Sequence, residues 1–197
     1  MPRSLRTKRS SARKSRKKTF PPGSSVLPVS IADSGKLVFL FGKECEKEDS
    51  AHGFSDFGGG VEKGESILDT AIREGAEELT GFLGNPEQLR ASIELRGGFY
   101  PLKKGNYHAH LFYQPYNHQL PLFYNFNHQF LWDRMDQTLL NRTKLFEKIR
   151  IEWFTVQDMK ERIHEFRGFY QKMVRYLITH EKEITAFVKN AKQEAQK

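Results

Sequence analysis

Residues 59–82 read GGVEKGESILDTAIREGAEELTGF, and the rest of the chain is organised around their spacing. Gly59 is followed after five residues by Glu65, after seven more by Arg73-Glu74, and after two more by Glu77-Glu78, with Gly81 close behind. Residues 66–79 carry a helical period. Leu68, Ala71, Ile72, Gly75, Ala76 and Leu79 fall on one arc, and Glu74, Glu77 and Glu78 gather on another. Ser66, with Asp69 three residues on, predicts the N-cap, and Gly81 predicts the stop. Gly58-Gly59-Gly60 predicts a loop whose backbone can approach a ligand or ion and expose its carbonyls. Three carboxylates so close repel one another, whereas a hard divalent cation such as Mg²⁺ is held by a few carboxylates plus phosphate oxygens. The plain alternative is a solvated acidic face. The glycines, the capping serine and the arginine together argue against it.

This pattern resembles the Nudix box, the signature of the Nudix hydrolases: a glycine, five residues, Glu, seven residues, Arg-Glu, an aliphatic, any residue, Glu-Glu, any residue, Gly and an aliphatic. Gly59, Glu65, Arg73, Glu74, Glu77 and Glu78 match it. Gly75 stands where a bulky aliphatic is usual, and one extra residue (Leu79-Thr80 in place of a single position) precedes Gly81. The resemblance implies an α/β (α+β) fold, an α/β/α sandwich around a mixed sheet, here with a C-terminal helical extension. It implies Mg²⁺- or Mn²⁺-dependent hydrolysis of a pyrophosphate in a nucleoside diphosphate linked to another moiety. Carried over by position, Glu74, Glu77 and Glu78 are metal ligands or base. The carbonyl of Gly58 or Gly59 adds an oxygen, Arg73 orients the cluster and Glu65 anchors the loop. Many members add an acid before the last core strand. Glu147 and Glu152 are the candidates here, and Glu147, nearer a loop end, is favoured. Some Nudix-fold proteins bind without hydrolysis, but this chain keeps every acid of the box.

The chain has 197 residues, a formal charge of +8 and one cysteine, Cys45, which excludes an intrachain disulfide and a cysteine-based zinc site. It has no apolar run of the ~20 residues that span a bilayer, and no apolar signal-peptide core near its start. These features predict a soluble intracellular protein with no membrane partner. Residues 1–23 differ from the rest. Arg3, Arg6, Lys8, Arg9, Arg13, Lys14, Arg16, Lys17 and Lys18 are nine cations without an acid, so the remainder is left at about −1. Such an arm is expected to be disordered. It can contact RNA or DNA phosphates, direct a cytoplasmic protein to the nucleus, meet another anionic surface, or only solubilise. Residues 21–23 read as a linker, 24–180 as the hydrolase domain and 181–197 as a helical tail.

Two β-rich runs, 26–31 and 36–41, flank an Asp-Ser-Gly turn and predict a hairpin. Residues 42–52 read as loop and 53–57 as a short strand, with Phe57 packing. Residues 83–90 read as a loop broken at Pro86, then 91–96 and 107–113 as strands. His108 and His110 share a strand face, as sheet histidines rather than ligands. Residues 115–132 are dense in aromatics and amides, suited to stacking a nucleobase, packing as a lid or forming a dimer surface. Residues 133–148 read as helix and 149–154 as strand. Residues 157–165 and 167–179 also read as helices, the second with a core stripe of Phe166, Phe169, Tyr170, Met173, Val174, Leu177 and Ile178. Substrate stays open at this level: the basic arm and aromatic segment suit capped RNA, while a free nucleotide or a pyrophosphorylated inositol phosphate fits the box equally well. Nothing in the pattern addresses oligomeric state.

Overall fold

The computed structural model describes residues 22–45, 52–136, 138–139 and 147–196. The basic arm up to residue 21, most of the loop between 45 and 52, and half of the helix expected over 133–148 lie outside the described residues. β1 (Gly23–Ile31) and β2 (Leu37–Glu44) form the predicted hairpin, with Gly35 at φ 78° in its turn. β1 begins at Gly23, within the stretch read as linker. β2 runs to Glu44, three residues past the point where the pattern predicts a loop.

β3 (Phe54–Ser55) pairs with the end of β2, and β4 (Phe57–Gly60) pairs with the start of β1. β5 (Phe99–Lys104) and β6 (Tyr107–Tyr113) form a second hairpin, and β6 lies parallel to β1. β7 (Lys148–Thr155) runs antiparallel along β2. The result is a mixed seven-stranded sheet in the order β3-β2-β1-β6-β5, with β4 added on β1 and β7 on β2. Because successive strand residues face opposite sides, Val26 enters the core on one face and Leu27 the core on the other.

Helices cover both faces. On the first, α1 (Ile67–Glu78), α2 (Pro86–Leu95) and α3 (Leu120–Trp132) bury Ala71, Ile72, Ala76, Leu89, Ile93 and Tyr124 against Val26, Leu40, Phe57, Phe112 and Ile151. On the second, α4 (Val156–Glu161), α5 (Gln171–Thr179) and α6 (Glu181–Glu194) place Met159, Met173, Val174, Leu177, Ile184 and Val188 over Phe39, Phe41 and Phe154. The architecture is the expected α/β/α sandwich.

The local differences have physical causes. Within residues 83–96, read as loop then strand, Pro86–Leu95 form α2, because Asn85 is its N-cap in a reciprocal capping box with Gln88. Pro86 therefore starts this helix rather than breaking one, since its missing N–H costs nothing in the first turn. β5 carries little signal in the sequence because Pro101, Lys103 and Lys104 dilute its pattern, yet each of its residues faces a partner on β6. Residues 157–165 are α4 followed by a 3₁₀ turn (Ile163–Glu165). Phe169 is 58% exposed, outside the stripe assigned to it, on the turn that precedes α5.

Candidate active site

Gly58, Gly59 and Gly60 belong to β4 rather than to a loop, and their carbonyls and N–H groups take up register with Ser25, Ser24 and Gly23. Packing requires glycine at Gly58, and at Gly59 a side chain would displace the Glu74 carboxyl, whereas Gly60 faces open space. A Cβ on Gly58 would lie 2.3 Å from Ser25 Cβ, and one on Gly59 would lie 2.5 Å from the Glu74 carboxyl. The acid face of α1 thus rests on the strand. Gly75 brings it there: a Cβ at that position would lie 2.3 Å from Val26 Cγ2, so the missing aliphatic lets α1 approach β1. Ser66 caps α1 as predicted, accepting from Asp69 N at 3.1 Å.

The helix ends by a different residue from the one expected. Thr80 N donates to Glu77 O and Gly81 N to Ala76 O, both at 2.8 Å, the paired bonds of a Schellman ending. The first left-handed residue is Thr80, at φ 51°. Thr80 therefore occupies the position the box gives to glycine, and the apparent extra residue is a substitution.

Arg73 gathers three carboxylates. Its Nε and Nη2 donate to Glu65 at 2.7 and 3.1 Å in a two-pronged pair, and its Nη1 lies 2.9 Å from Glu74 and 3.1 Å from Glu77. Thr70 Oγ1 donates to Glu65 at 2.7 Å. These hydrogen bonds, the Arg73 pair foremost, hold the Glu65 carboxyl down at about 2. Glu77 remains 53% exposed at the side chain, Glu74 only 16%.

Glu78 leaves this group. It turns inward, 4% exposed, where its Oε2 accepts from Gly58 N at 2.8 Å and its Oε1 lies 3.3 Å from Lys148 Nζ. Burial pushes its carboxyl above the ordinary value against the pull of Lys148, and the charges of Glu44 and Glu147 push the same way as burial. Lys148 is fully buried and also donates to Glu44 and, at 3.0 Å, to Ser55 Oγ. Burial works against its charge, but Glu78 and Glu44 together hold it above the ordinary lysine value. Arg167 donates to the same oxygen of Glu44. Among the described residues, no group of three or more His, Cys, Asp or Glu side chains is arranged around a metal-sized gap. The donors themselves are hard oxygens, the type that Mg²⁺ and Mn²⁺ take, so the residues fit the ion in chemistry.

The two candidate downstream acids separate. Glu152 pairs with Arg162 and lies 3.5 Å from Arg150. Glu147 precedes β7, and its charge reaches Glu78. Phe57 is fully buried packing. His110 is buried with Nδ1 3.1 Å from Ser25 O and its ring edge against Phe99, a sheet role. His108 lies in a row across the sheet: Gly59 faces Ser24, Ser24 faces His108, and His108 faces Lys103. The row continues from beneath Glu74 on the α1 side. In the aromatic segment Tyr124 is buried, and its hydroxyl donates to Lys148 O at 3.1 Å and Glu78 O at 3.3 Å. Phe123, Phe126 and Phe130 are exposed. Glu44, Lys148 and Tyr124 carried no signal in the sequence, because their partners lie in other elements.

Residues 21–177 match the family model of the NUDIX domain. The chain belongs to the Nudix family, and it is an enzyme of the pyrophosphohydrolase class. Similar solved structures include an Ap4A hydrolase from C. elegans in a binary complex, 14% identical over 85% of this chain and 97% of that one, with a TM-score of 0.43. A MutT protein from Methanosarcina mazei Go1 is 17% identical over 84% and 99%, with a TM-score of 0.41. A Nudix hydrolase from Alicyclobacillus acidocaldarius is 15% identical over 85% and 96%, with a TM-score of 0.45. No curated protein matches the sequence.

Proposed function

We propose that this Nudix hydrolase splits a pyrophosphate bond in a nucleoside diphosphate linked to another moiety, in a reaction dependent on Mg²⁺ or Mn²⁺. The observation that carries the reading is Arg73 holding Glu74 and Glu77 together, with the Glu74 carboxyl resting on Gly59. Glu74, Glu77, the outer edge of Glu78 and the Gly59 carbonyl would hold the divalent ion, which when bound polarises a phosphorus centre and lowers the pKa of a water. Arg73 keeps the carboxylates oriented through charge-assisted bonds, and Glu65 ties that arginine to the loop entering α1. Glu147, whose charge reaches Glu78, is the further acid assigned to take a proton from the attacking water.

Lys103 and His108 lie along the row leading from Gly59, at about 5 Å per strand, within reach of a substrate phosphate. The nine cations of the N-terminal arm favour a substrate attached to RNA, the 5′ cap above all, because such an arm gains affinity from each phosphate it meets. A free nucleotide would use the same acids without the arm.

The test is product analysis with Mg²⁺ or Mn²⁺ on a capped RNA and a panel of free nucleotides. Release of a guanosine diphosphate product from the RNA supports the cap reading. Turnover of the free nucleotides alone makes this a nucleotide-pool enzyme, and no turnover of either overturns the hydrolytic reading.

A further inference from the structure

The fold buries an ionic cluster behind the acids of α1, and the lysine at its centre has no part in the hydrolysis proposed above. Lys148 opens β7 and has no exposed surface. Its stem passes over Gly42, where a Cβ would lie 2.9 Å from both Cγ and Cδ, so β2 leaves a channel for this side chain. At the end of that channel the ammonium meets Glu44 on β2, Ser55 on β3 and Glu78 on α1. Tyr124 on α3 holds the backbone carbonyls of both Lys148 and Glu78. Four elements converge on one lysine of a fifth, and one of its partners is an acid of the box.

We propose that Lys148 is a built-in counter-ion and positioning residue of the hydrolytic site. Its ammonium holds the inner edge of the Glu78 carboxylate and leaves only the outer edge for a divalent ion. The inference rests on the metal-dependent hydrolysis proposed above. Gly58 N fixes the second oxygen of Glu78 at 2.8 Å, so the carboxylate is clamped from two sides before any ion arrives. A fixed positive charge a few ångströms from a metal site also weakens the ion it faces. The lysine thus trades metal affinity for geometry, by stabilising one orientation of a ligand at the expense of total negative charge. Second-sphere partners of this kind act on turnover through the ligand they orient.

Lys148→Met alone leaves two buried carboxylates, Glu44 and Glu78, without the lysine they share and can fail to fold. The informative protein is the full chain carrying Lys148→Met with Glu44→Gln, which removes one charge of each sign and leaves Arg167 as the remaining cation of the cluster. Circular dichroism first establishes that it is folded. Mn²⁺ binding is then measured by titration calorimetry without substrate, and kcat and KM are measured on the nucleotide that the wild type turns over. Measured against Glu44→Gln alone, so that Lys148 is the only change, the expected result is a kcat about 10- to 100-fold lower with KM nearly unchanged, together with tighter Mn²⁺ binding. A folded double variant with the kcat of Glu44→Gln, or with Mn²⁺ affinity equal to or weaker than that of Glu44→Gln, overturns the proposal. If the wild type itself neither binds Mn²⁺ nor hydrolyses a nucleotide, the functional reading fails rather than the role of Lys148.

Discussion

Glu77 and Glu78 are adjacent in sequence yet belong to different environments, and their variants should behave differently. Glu77 is half exposed and shares Arg73 with two other acids, so Glu77→Gln should abolish metal-dependent turnover while changing stability little. An assay of hydrolysis beside a thermal melt checks both halves. The sequence pattern invites the same expectation for Glu78, but this acid is buried against Lys148, so its replacement also disturbs a buried pair. Glu65 supplies a pH signature. Its folded value near 2 lies below the ordinary 4.5, so the stabilisation by Arg73 is complete above the ordinary value and disappears as pH falls from about 4.5 towards 2. Melts of wild type and Glu65→Gln should differ near neutrality and converge in acid. A constant offset across that window would remove Glu65 from the acid response.

Helix α1 is shaped at both ends and in its middle by contacts beyond its own periodicity. Its middle lies close on β1 because Gly75 has no side chain to meet Val26. Restoring the aliphatic of the box with Gly75→Leu should destabilise by about 1–3 kcal/mol through overpacking, measured by urea unfolding, and Val26→Ala in the same chain should return part of it. Its C-terminus ends on a left-handed threonine, a conformation that costs an L-residue about 1–2 kcal/mol. Thr80→Gly should therefore raise stability, by about 1 kcal/mol once the added freedom of the unfolded chain is set against the relieved strain. An unchanged or lower denaturation midpoint would show that the Thr80 Oγ1 bond to Leu79 O, at 2.7 Å, compensates the strain.

At the scale of the whole molecule, the sheet separates two cores and sets the acid face at the edge of one of them. α6 belongs to the other: Ile184 and Val188 are fully buried beneath α5 and the sheet, so the C-terminal segment is part of the packing. The charge of the molecule sits mostly in its first residues. Deleting residues 1–20 should weaken binding to RNA and reduce the slope of log K against log salt by about 0.7 for each phosphate the arm had neutralised, while turnover of a small nucleotide stays as it was. Fluorescence anisotropy with a short RNA at several salt concentrations reads this directly. An unchanged slope would leave the arm without a role in polyanion binding.

Local pattern alone determined the acid helix, its Ser66 cap, the first hairpin and the strand ending in Phe154, while the family and the sandwich followed from the resemblance of the spacing to the Nudix box. These features repeat with the period of one turn or one pleat, so neighbours along the chain carry them. Only the tertiary structure decided where each acid goes. Glu78 turns inward because Lys148 waits there, and Lys148 meets Glu44 from 104 residues away. The place of Gly75 depends on Val26, and that of Gly59 on Glu74, contacts made across a strand and a helix. α2 is hidden in the sequence because Pro86 reads as a break until its Asn85–Gln88 cap is recognised. Sequence spacing specifies which groups a helix presents, but packing between distant elements determines which of them face solvent and which are paired inside.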